Sequence, residues 1–119
     1  MSRKNSLAGA KITSAQSLAS SFNSAATNIQ FLDSVGIQIN ATGTASGSFA
    51  VQVSQDYDPT KNVAGNWIAL SLSGTPALSG AADNIEITLQ QIPAQWLRVA
   101  WTATSGTGNC DIFVSAKEI

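Results

Sequence analysis

The chain has 119 residues, a net charge of −1 at pH 7 and only 11% charged residues, whereas 44% are hydrophobic. This length predicts one domain with one core. The charge content lies well below the roughly 25% of an average soluble domain. It favours a surface committed to neighbouring molecules, although many extracellular β-domains are also rich in Ser and Thr. The sequence contains no histidine and one cysteine, Cys110, which excludes the usual catalytic triads and an intrachain disulfide.

Residues 1–27 are predicted to form an extended N-terminal arm, because no hydrophobic period is sustained there. Arg3, Lys4 and Lys11 give its first eleven residues three positive charges and no acid. These charges have two interpretations: a solubilised terminus, or an arm that lies on an acidic neighbouring subunit. Serines are frequent in residues 15–26 and disfavour a helix, so we expect an extended segment anchored by Leu18 and Phe22.

Neither a signal peptide nor a membrane-spanning segment is expected. Polar side chains interrupt residues 5–24, whereas a signal peptide has an apolar centre. No run of 18 apolar residues occurs in the sequence, and a spanning helix needs about that length. We therefore expect synthesis and assembly in a cytoplasm.

From residue 28 onwards, hydrophobic and polar residues alternate in short segments, which predicts β-strands. The clearest alternation runs through residues 35–41, 49–53, 85–89, 97–103 and 110–116. Glycine-bearing connections at residues 43–47 and 104–109 separate two pairs of these segments. Alternating segments joined by such connections predict two antiparallel hairpins, over residues 35–54 and 95–119.

Short strands at intervals of roughly ten residues, with turns between them, predict an all-β fold. We expect a single antiparallel β-sandwich, jelly-roll-like, with seven or eight strands over residues 28–119 and the arm over residues 1–27. An immunoglobulin-like sandwich fits the same strand count and stays open. In either arrangement the inward faces of two sheets form the core, and Leu97, Val99 and Trp101 are expected on such a face.

No group of residues in the sequence has the residue types of a nucleophile with its base or of a defined acid–base pair. We therefore expect a protein that is not an enzyme and that holds no cofactor. Asp56 and Asp58 have a D-x-D spacing, with Asn62 in the same loop, and oxygen ligands suit Ca²⁺. The loop lacks the further acids of a known calcium loop. Turn-forming Asp and Asn residues explain the pattern equally well. We expect no metal site, with calcium at Asp56 and Asp58 as the alternative.

Outward-facing aromatic residues and basic residues are the candidates for contact with a partner. Alternation places Trp96, Arg98 and Phe113 on outward strand faces, and Trp67 begins a short strand. Exposed rings stack on sugars in carbohydrate-binding modules, but Trp and Arg are also enriched at protein interfaces. We favour an interface over a glycan platform. The partner-binding candidates are Arg3, Lys4, Lys11, Trp67, Trp96, Arg98 and Phe113.

Two sets of strand-and-turn residues carry a resemblance to known proteins. In the closing segment they are residues 96–99 (WLRV), Thr102, residues 105–108 (SGTG), Ile112 and residues 116–117 (AK); in the middle they are residues 35–43, 47–54 and 66–67. Over residues 28–117 the chain thereby resembles small virion structural proteins of tailed bacteriophages, of the capsid decoration or cement type. The resemblance implies a compact β-sandwich, often a jelly roll, and it implies no catalytic residues.

We therefore expect a structural protein of the virion, a decoration or cement subunit that binds major capsid proteins and copies of itself. Nucleic acid and membrane are not expected as partners. In this hypothesis the low-charge surface lies against capsid subunits, the arm crosses a neighbour, and many copies multiply weak contacts. The alternative is a carbohydrate-binding β-sandwich module of a phage tail or adhesion apparatus. A tail or baseplate component would have the same fold.

Overall fold

A computed structural model describes residues 6–29, 34–70, 72, 74–90 and 94–117, and the regular structure among them is β-strand. The strands are β1 Ser6–Ser17, β2 Phe22–Asn23, β3 Thr27–Asn28, β4 Ser34–Gly43, β5 Ser46–Ser54, β6 Ile68–Ala69, β7 Ala77–Ser79, β8 Asp83–Gln90, β9 Trp96–Ser105 and β10 Gly108–Lys117. The predicted all-β class is confirmed. Within these described residues there is no helix that could cross a membrane.

The strands form two antiparallel sheets that pack against each other, and we refer to the packed pair as the sandwich. The first sheet has the order β1-β10-β4-β8. The second has the order β2-β9-β5-β6, with β3 also paired to β9 and β7 also paired to β5. Four long strands, β4, β5, β9 and β10, thus occupy the centres of the two sheets, and shorter or edge strands flank them.

The core lies between the inward faces of the four central strands. In β4, β9 and β10 a buried residue alternates with one that is at least partly exposed, which confirms the inward faces predicted from the sequence. Trp101 and Phe49 are the largest fully buried side chains, and their ring centroids lie 4.6 Å apart. The central strands contribute Val35, Ile37, Ile39, Ala41, Phe49, Val51, Leu97, Val99, Trp101, Cys110, Ile112, Val114 and Ala116 to the buried cluster.

The two predicted hairpins are wrong. β4 and β5 lie in different sheets, and so do β9 and β10. β4 pairs with β10 in one sheet, and β5 pairs with β9 in the other. The connections at residues 44–45 and 106–107 therefore carry the chain across the core from sheet to sheet. Alternation of hydrophobic and polar residues indicates only which face of a strand is buried. Two successive strands bury the same faces whether they pair as a hairpin or lie in different sheets, so the alternation did not distinguish the two arrangements.

The described part of the predicted arm, residues 6–27, contributes strands to both sheets. β1 forms an edge of the first sheet beside β10, with three register shifts along its ladder. Leu18 is fully buried and Phe22 packs partly buried against the core, as expected of the two anchors. Residues 1–5 lie outside the described residues. The division into an arm over residues 1–27 and a domain over residues 28–119 stays a prediction.

Candidate functional site

The outer face of the second sheet carries three aromatic rings and one arginine, at the end where β9 begins. Trp96 and Arg98 lie on β9, and Tyr57 and Trp67 come from the loop between β5 and β6. The Tyr57 ring centroid lies 5.0 Å from that of Trp96 and 5.3 Å from that of Trp67. All four residues are partly exposed. We call them the aromatic cluster.

Arg98 joins the loop to the sheet beneath it. Its guanidinium carbon lies 4.3 Å from the ring centroid of Trp67, within the range of a cation–π contact. Its Nε donates to Oε1 of Gln52 on β5 at 2.7 Å. Partial burial lowers the pKa of Arg98, but an arginine stays protonated at neutral pH. The cluster therefore presents a fixed positive charge among its rings.

Asp56 holds the loop of residues 55–67 in shape. Its carboxylate accepts hydrogen bonds from the backbone N–H of Asn66 at 2.8 Å, from the side-chain amide of Asn66 at 2.8 Å and from the hydroxyl of Ser54 at 2.9 Å. These hydrogen bonds favour the ionised carboxylate and therefore lower the pKa of Asp56. The hydrogen bond from the backbone N–H of Asn66 has the largest effect. Asn66 directly precedes Trp67, so Asp56 fixes the point at which that ring leaves the loop.

Asp58 closes the tip of the same loop. Its Oδ1 accepts from the backbone N–H of Thr60 at 3.0 Å and of Lys61 at 3.2 Å, which is how an Asp side chain stabilises a turn. Both acids of the D-x-D pair are thus engaged by the loop itself. In the part of the chain that the structure describes, no group of three or more His, Cys, Asp or Glu side chains is placed to hold a metal ion.

A cleft of about 430 Å³ lies beside Trp96. Its lining combines the rings of Trp96, Tyr57 and Pro59 with acids, amides and the hydroxyl of Thr60. Its lining residues are Asn28, Gln55, Asp56, Tyr57, Asp58, Pro59, Thr60, Gln95 and Trp96. An aromatic wall beside several hydrogen-bonding groups is chemically suited to a hydroxyl-rich ligand.

Phe113 lies on the outer face of the first sheet and not in the aromatic cluster. The ammonium of Lys11 lies 5.7 Å from the Phe113 ring centroid and 3.6 Å from the carboxylate of Asp111. That carboxylate also accepts from the backbone N–H of Ala15 at 2.7 Å. These contacts tie the edge strand β1 to β10. Whether Lys11 and Phe113 also bind a partner stays a prediction.

Cys110 lies on the inward face of β10 and is buried, as expected. Burial, followed by the neighbouring charge of Asp111, raises the pKa of its thiol to about 11. The thiol is therefore protonated at neutral pH. Because the thiolate is the nucleophile, burial and protonation both disfavour reaction of this thiol.

The structure brings three of the predicted contact residues, Trp67, Trp96 and Arg98, onto one surface, whereas Arg3 and Lys4 lie outside the described residues. Tyr57, whose ring contacts both tryptophans, was not among the partner-binding candidates, although the sequence offered the tryptophans and the tyrosine together as a possible sugar-stacking face. Ile68, which is 67% exposed, was not among these candidates either. The place of Tyr57 between two turn-forming aspartates does not tell where the loop folds.

No protein-family model, curated protein or solved structure matches the chain.

Proposed function

We propose that the sandwich is a jelly roll of eight strands. β2 and β3 then count as one interrupted strand along β9, because Ser24 between them exchanges hydrogen bonds with Val99 of β9. β6 and β7 count as one interrupted strand along β5, because Leu70 between them donates to Val51 of β5. The eight resulting strands are numbered 1 to 8 along the chain, so that β1 is strand 1 and β10 is strand 8. The first sheet then has the order 1-8-3-6 and the second the order 2-7-4-5. These two orders support two Greek keys wound into a jelly roll.

We further propose that the protein is a non-enzymatic structural subunit of a tailed-phage virion that decorates the head by binding major capsid proteins. The observation that carries this proposal is the aromatic cluster, with the exposed side chain of Ile68 next to it in the chain. Trp, Tyr and Arg are the residues that most often dominate the binding energy of protein interfaces. Jelly rolls are frequent among viral capsid domains, and the resemblance over residues 28–117 supports the choice of partner.

The low surface charge supports close packing against a capsid lattice. The chain has six basic and seven acidic residues in 119, so a partner that covers its surface removes few charges from water, and burying charges is costly. The aromatic cluster supplies a partly apolar contact centre instead. Many identical sites on a particle then favour retention when copies are joined to one another.

Binding to phage heads tests the proposal. The purified chain is added to heads that lack it, from the phage that encodes it, and the bound fraction is measured by co-sedimentation. We expect saturable binding. Because truncation of an interface hot spot costs about 2 kcal/mol or more, Trp67→Ala and Trp96→Ala should each weaken binding about thirtyfold.

Thr102→Ala is the matched control, because Thr102 is exposed on the same strand as Trp96 but lies outside the aromatic cluster. It should bind like the unaltered protein. Absence of saturable binding by the unaltered protein would refute the capsid role. Undiminished binding by both tryptophan variants would remove the aromatic cluster as the contact surface.

A carbohydrate-binding module is the second candidate, favoured by the cleft beside Trp96. Against it, one face of the Trp67 ring is occupied by Arg98, so that ring is poorly available for stacking on a sugar. The test is a titration of tryptophan fluorescence with a broad panel of saccharides. A saturable change that disappears in Trp96→Ala supports glycan binding, and flat titrations across the panel count against it.

A further inference from the structure

The four edges of the two sheets differ in how well they are protected against pairing with another chain. Exposed sheet edges are prone to pair, and proteins protect them with short strands, bulges and lysines. Both edges of the second sheet are strands of only two or three residues, β2 and β3 on one side and β6 and β7 on the other. β1 has three register shifts and the exposed Lys11.

β8 has none of these protections. It pairs with β4 without a register shift from Asp83 to Gln90. Its sequence, DNIEITLQ, contains no proline, glycine, lysine or arginine. Among the described residues, its other edge pairs with no strand. β8 is therefore the one long, straight edge of the described sandwich that a further strand can extend.

The inward side chains of β8 are incompletely covered. Ile87 is 7% exposed, and Ile85 and Leu89 pack on the core while remaining partly exposed. The outward residues of the strand, Asn84, Glu86 and Thr88, are exposed. An added strand would remove apolar surface from water on the inward side, which is favourable, and would pair the backbone groups of the edge.

The sequence of β8 is complementary to itself in one antiparallel register. A two-fold axis at Ile87 pairs that residue with its own copy and places Ile85 opposite Leu89 of the second copy, so apolar residues meet on one face. On the other face Glu86 lies opposite Thr88. An axis at Glu86 would instead place two carboxylates opposite each other, which is destabilising. A slip of one residue would pair inward with outward side chains.

We propose that β8 is a dimerisation edge, at which two copies of this chain pair antiparallel around a two-fold axis at Ile87 and join their first sheets into one. This inference deepens the proposed structural function by naming the surface through which copies meet, and it is tested in purified protein without phage heads. The dimer carries two aromatic clusters, so it binds a capsid lattice through two sites and is retained more strongly than one copy.

Charge substitution at Thr88 tests both the edge and the register. In the proposed register, position 88 of each copy lies opposite Glu86 of the other copy. Thr88→Lys therefore creates two pairs of opposite charges per dimer, and Thr88→Glu creates two pairs of like charges with Glu86. Each cross-strand charge pair is worth about 0.2–1 kcal/mol, so dimer dissociation constants should fall about two- to thirtyfold for Thr88→Lys and rise by a similar factor for Thr88→Glu. Analytical ultracentrifugation over a range of concentrations measures them.

Three further variants make the test specific. Thr102→Lys and Thr102→Glu, at an exposed position of β9, should leave the dissociation constant unchanged. Glu86→Cys with Thr88→Cys, in a chain that also carries Cys110→Ser, should form an intermolecular disulfide between positions 86 and 88. Far-ultraviolet circular dichroism of each variant establishes that it is folded.

A chain that stays monomeric at all concentrations would overturn the proposal. A dimer whose dissociation constant is the same in Thr88→Lys, Thr88→Glu and the unaltered protein would also overturn it. A dimer that crosslinks through positions 86 and 88 supports it even when binding to heads is absent. Conversely, a monomer that binds heads saturably would refute the β8 dimer and leave the capsid role standing.

Discussion

The backbone N–H of Thr44 donates to the carbonyl of Thr107 at 2.7 Å. This bond joins the connection between β4 and β5 to the connection between β9 and β10, so the two crossings of the core lie together at one end of the sandwich. From there the β4–β10 ladder runs into the first sheet and the β5–β9 ladder into the second. The two connections, held side by side, thus place β4 next to β10 and β5 next to β9.

Gly106 is needed at the second crossing. Its φ of 79° lies in the region that favours glycine, and a Cβ there would clash with the carbonyl oxygen of Thr44. Gly106→Ala should therefore lower the free energy of unfolding by about 1–3 kcal/mol, measured by urea denaturation. Gly74→Ala is the control, because a Cβ at Gly74 meets nothing within 4 Å. Equal stability of the two variants would contradict the role of the crossing.

Leu18 should anchor the N-terminal strand to both sheets. Its side chain is fully buried, its N–H donates to the carbonyl of Gly108, and its own carbonyl accepts from Nε1 of Trp101 at 3.1 Å. Leu18→Ala should cost about 2–5 kcal/mol of unfolding free energy. The exposed Gln16→Ala should change it by less than about 0.5 kcal/mol. A Leu18→Ala variant as stable as Gln16→Ala would contradict the anchoring role of Leu18.

Asp56→Ala should release the loop of residues 55–67 while leaving the sheets folded. The variant loses the hydrogen bonds to Ser54 and Asn66, so Trp67 should move away from Tyr57. The expected result is a shift of tryptophan emission with unchanged far-ultraviolet circular dichroism. Asp83→Ala, whose carboxylate accepts only from its neighbour Asn84 among the described contacts, should not shift the emission.

The same carboxylate predicts a pH dependence. The folded pKa of Asp56 is lowered, so its contribution to loop stability is complete above the unfolded pKa, at about 4. That contribution is lost as the pH falls through the folded pKa. Acidification should shift the tryptophan emission of the unaltered protein towards that of Asp56→Ala, with little further shift in the variant. An equal acid shift in both proteins would assign the effect to another group.

Cys110 should resist alkylation in the folded protein. With a pKa of about 11, roughly one thiol in a thousand is ionised at pH 8, whereas an unfolded thiol with a pKa of about 8.5 is ionised in roughly one quarter of molecules. Iodoacetamide should thus react more than a hundredfold more slowly before than after unfolding in urea. Similar rates in the two states would show that Cys110 is accessible and reactive.

The buried faces of the sandwich were predictable from the sequence, and the strand partners were not. Alternation at residues 97–101 identified Leu97, Val99 and Trp101 as inward because burial depends on a local period of two. Which strands pair depends on where each connection directs the chain. A glycine such as Gly106 is compatible both with a hairpin turn and with a connection that leads to the other sheet. The same limit applies to the site. Trp96 and Arg98 share a strand face and were predicted together, whereas Tyr57 reaches them through hydrogen bonds within a folded loop.

Cryo-electron microscopy of heads saturated with the purified chain tests the proposal that the aromatic cluster is the contact surface of a capsid decoration protein. We predict ordered density for the sandwich on the outside of the capsid shell, with Trp67, Trp96 and Arg98 against a major capsid subunit. Density with these residues facing solvent, or heads without added density at saturating protein, would contradict the claim.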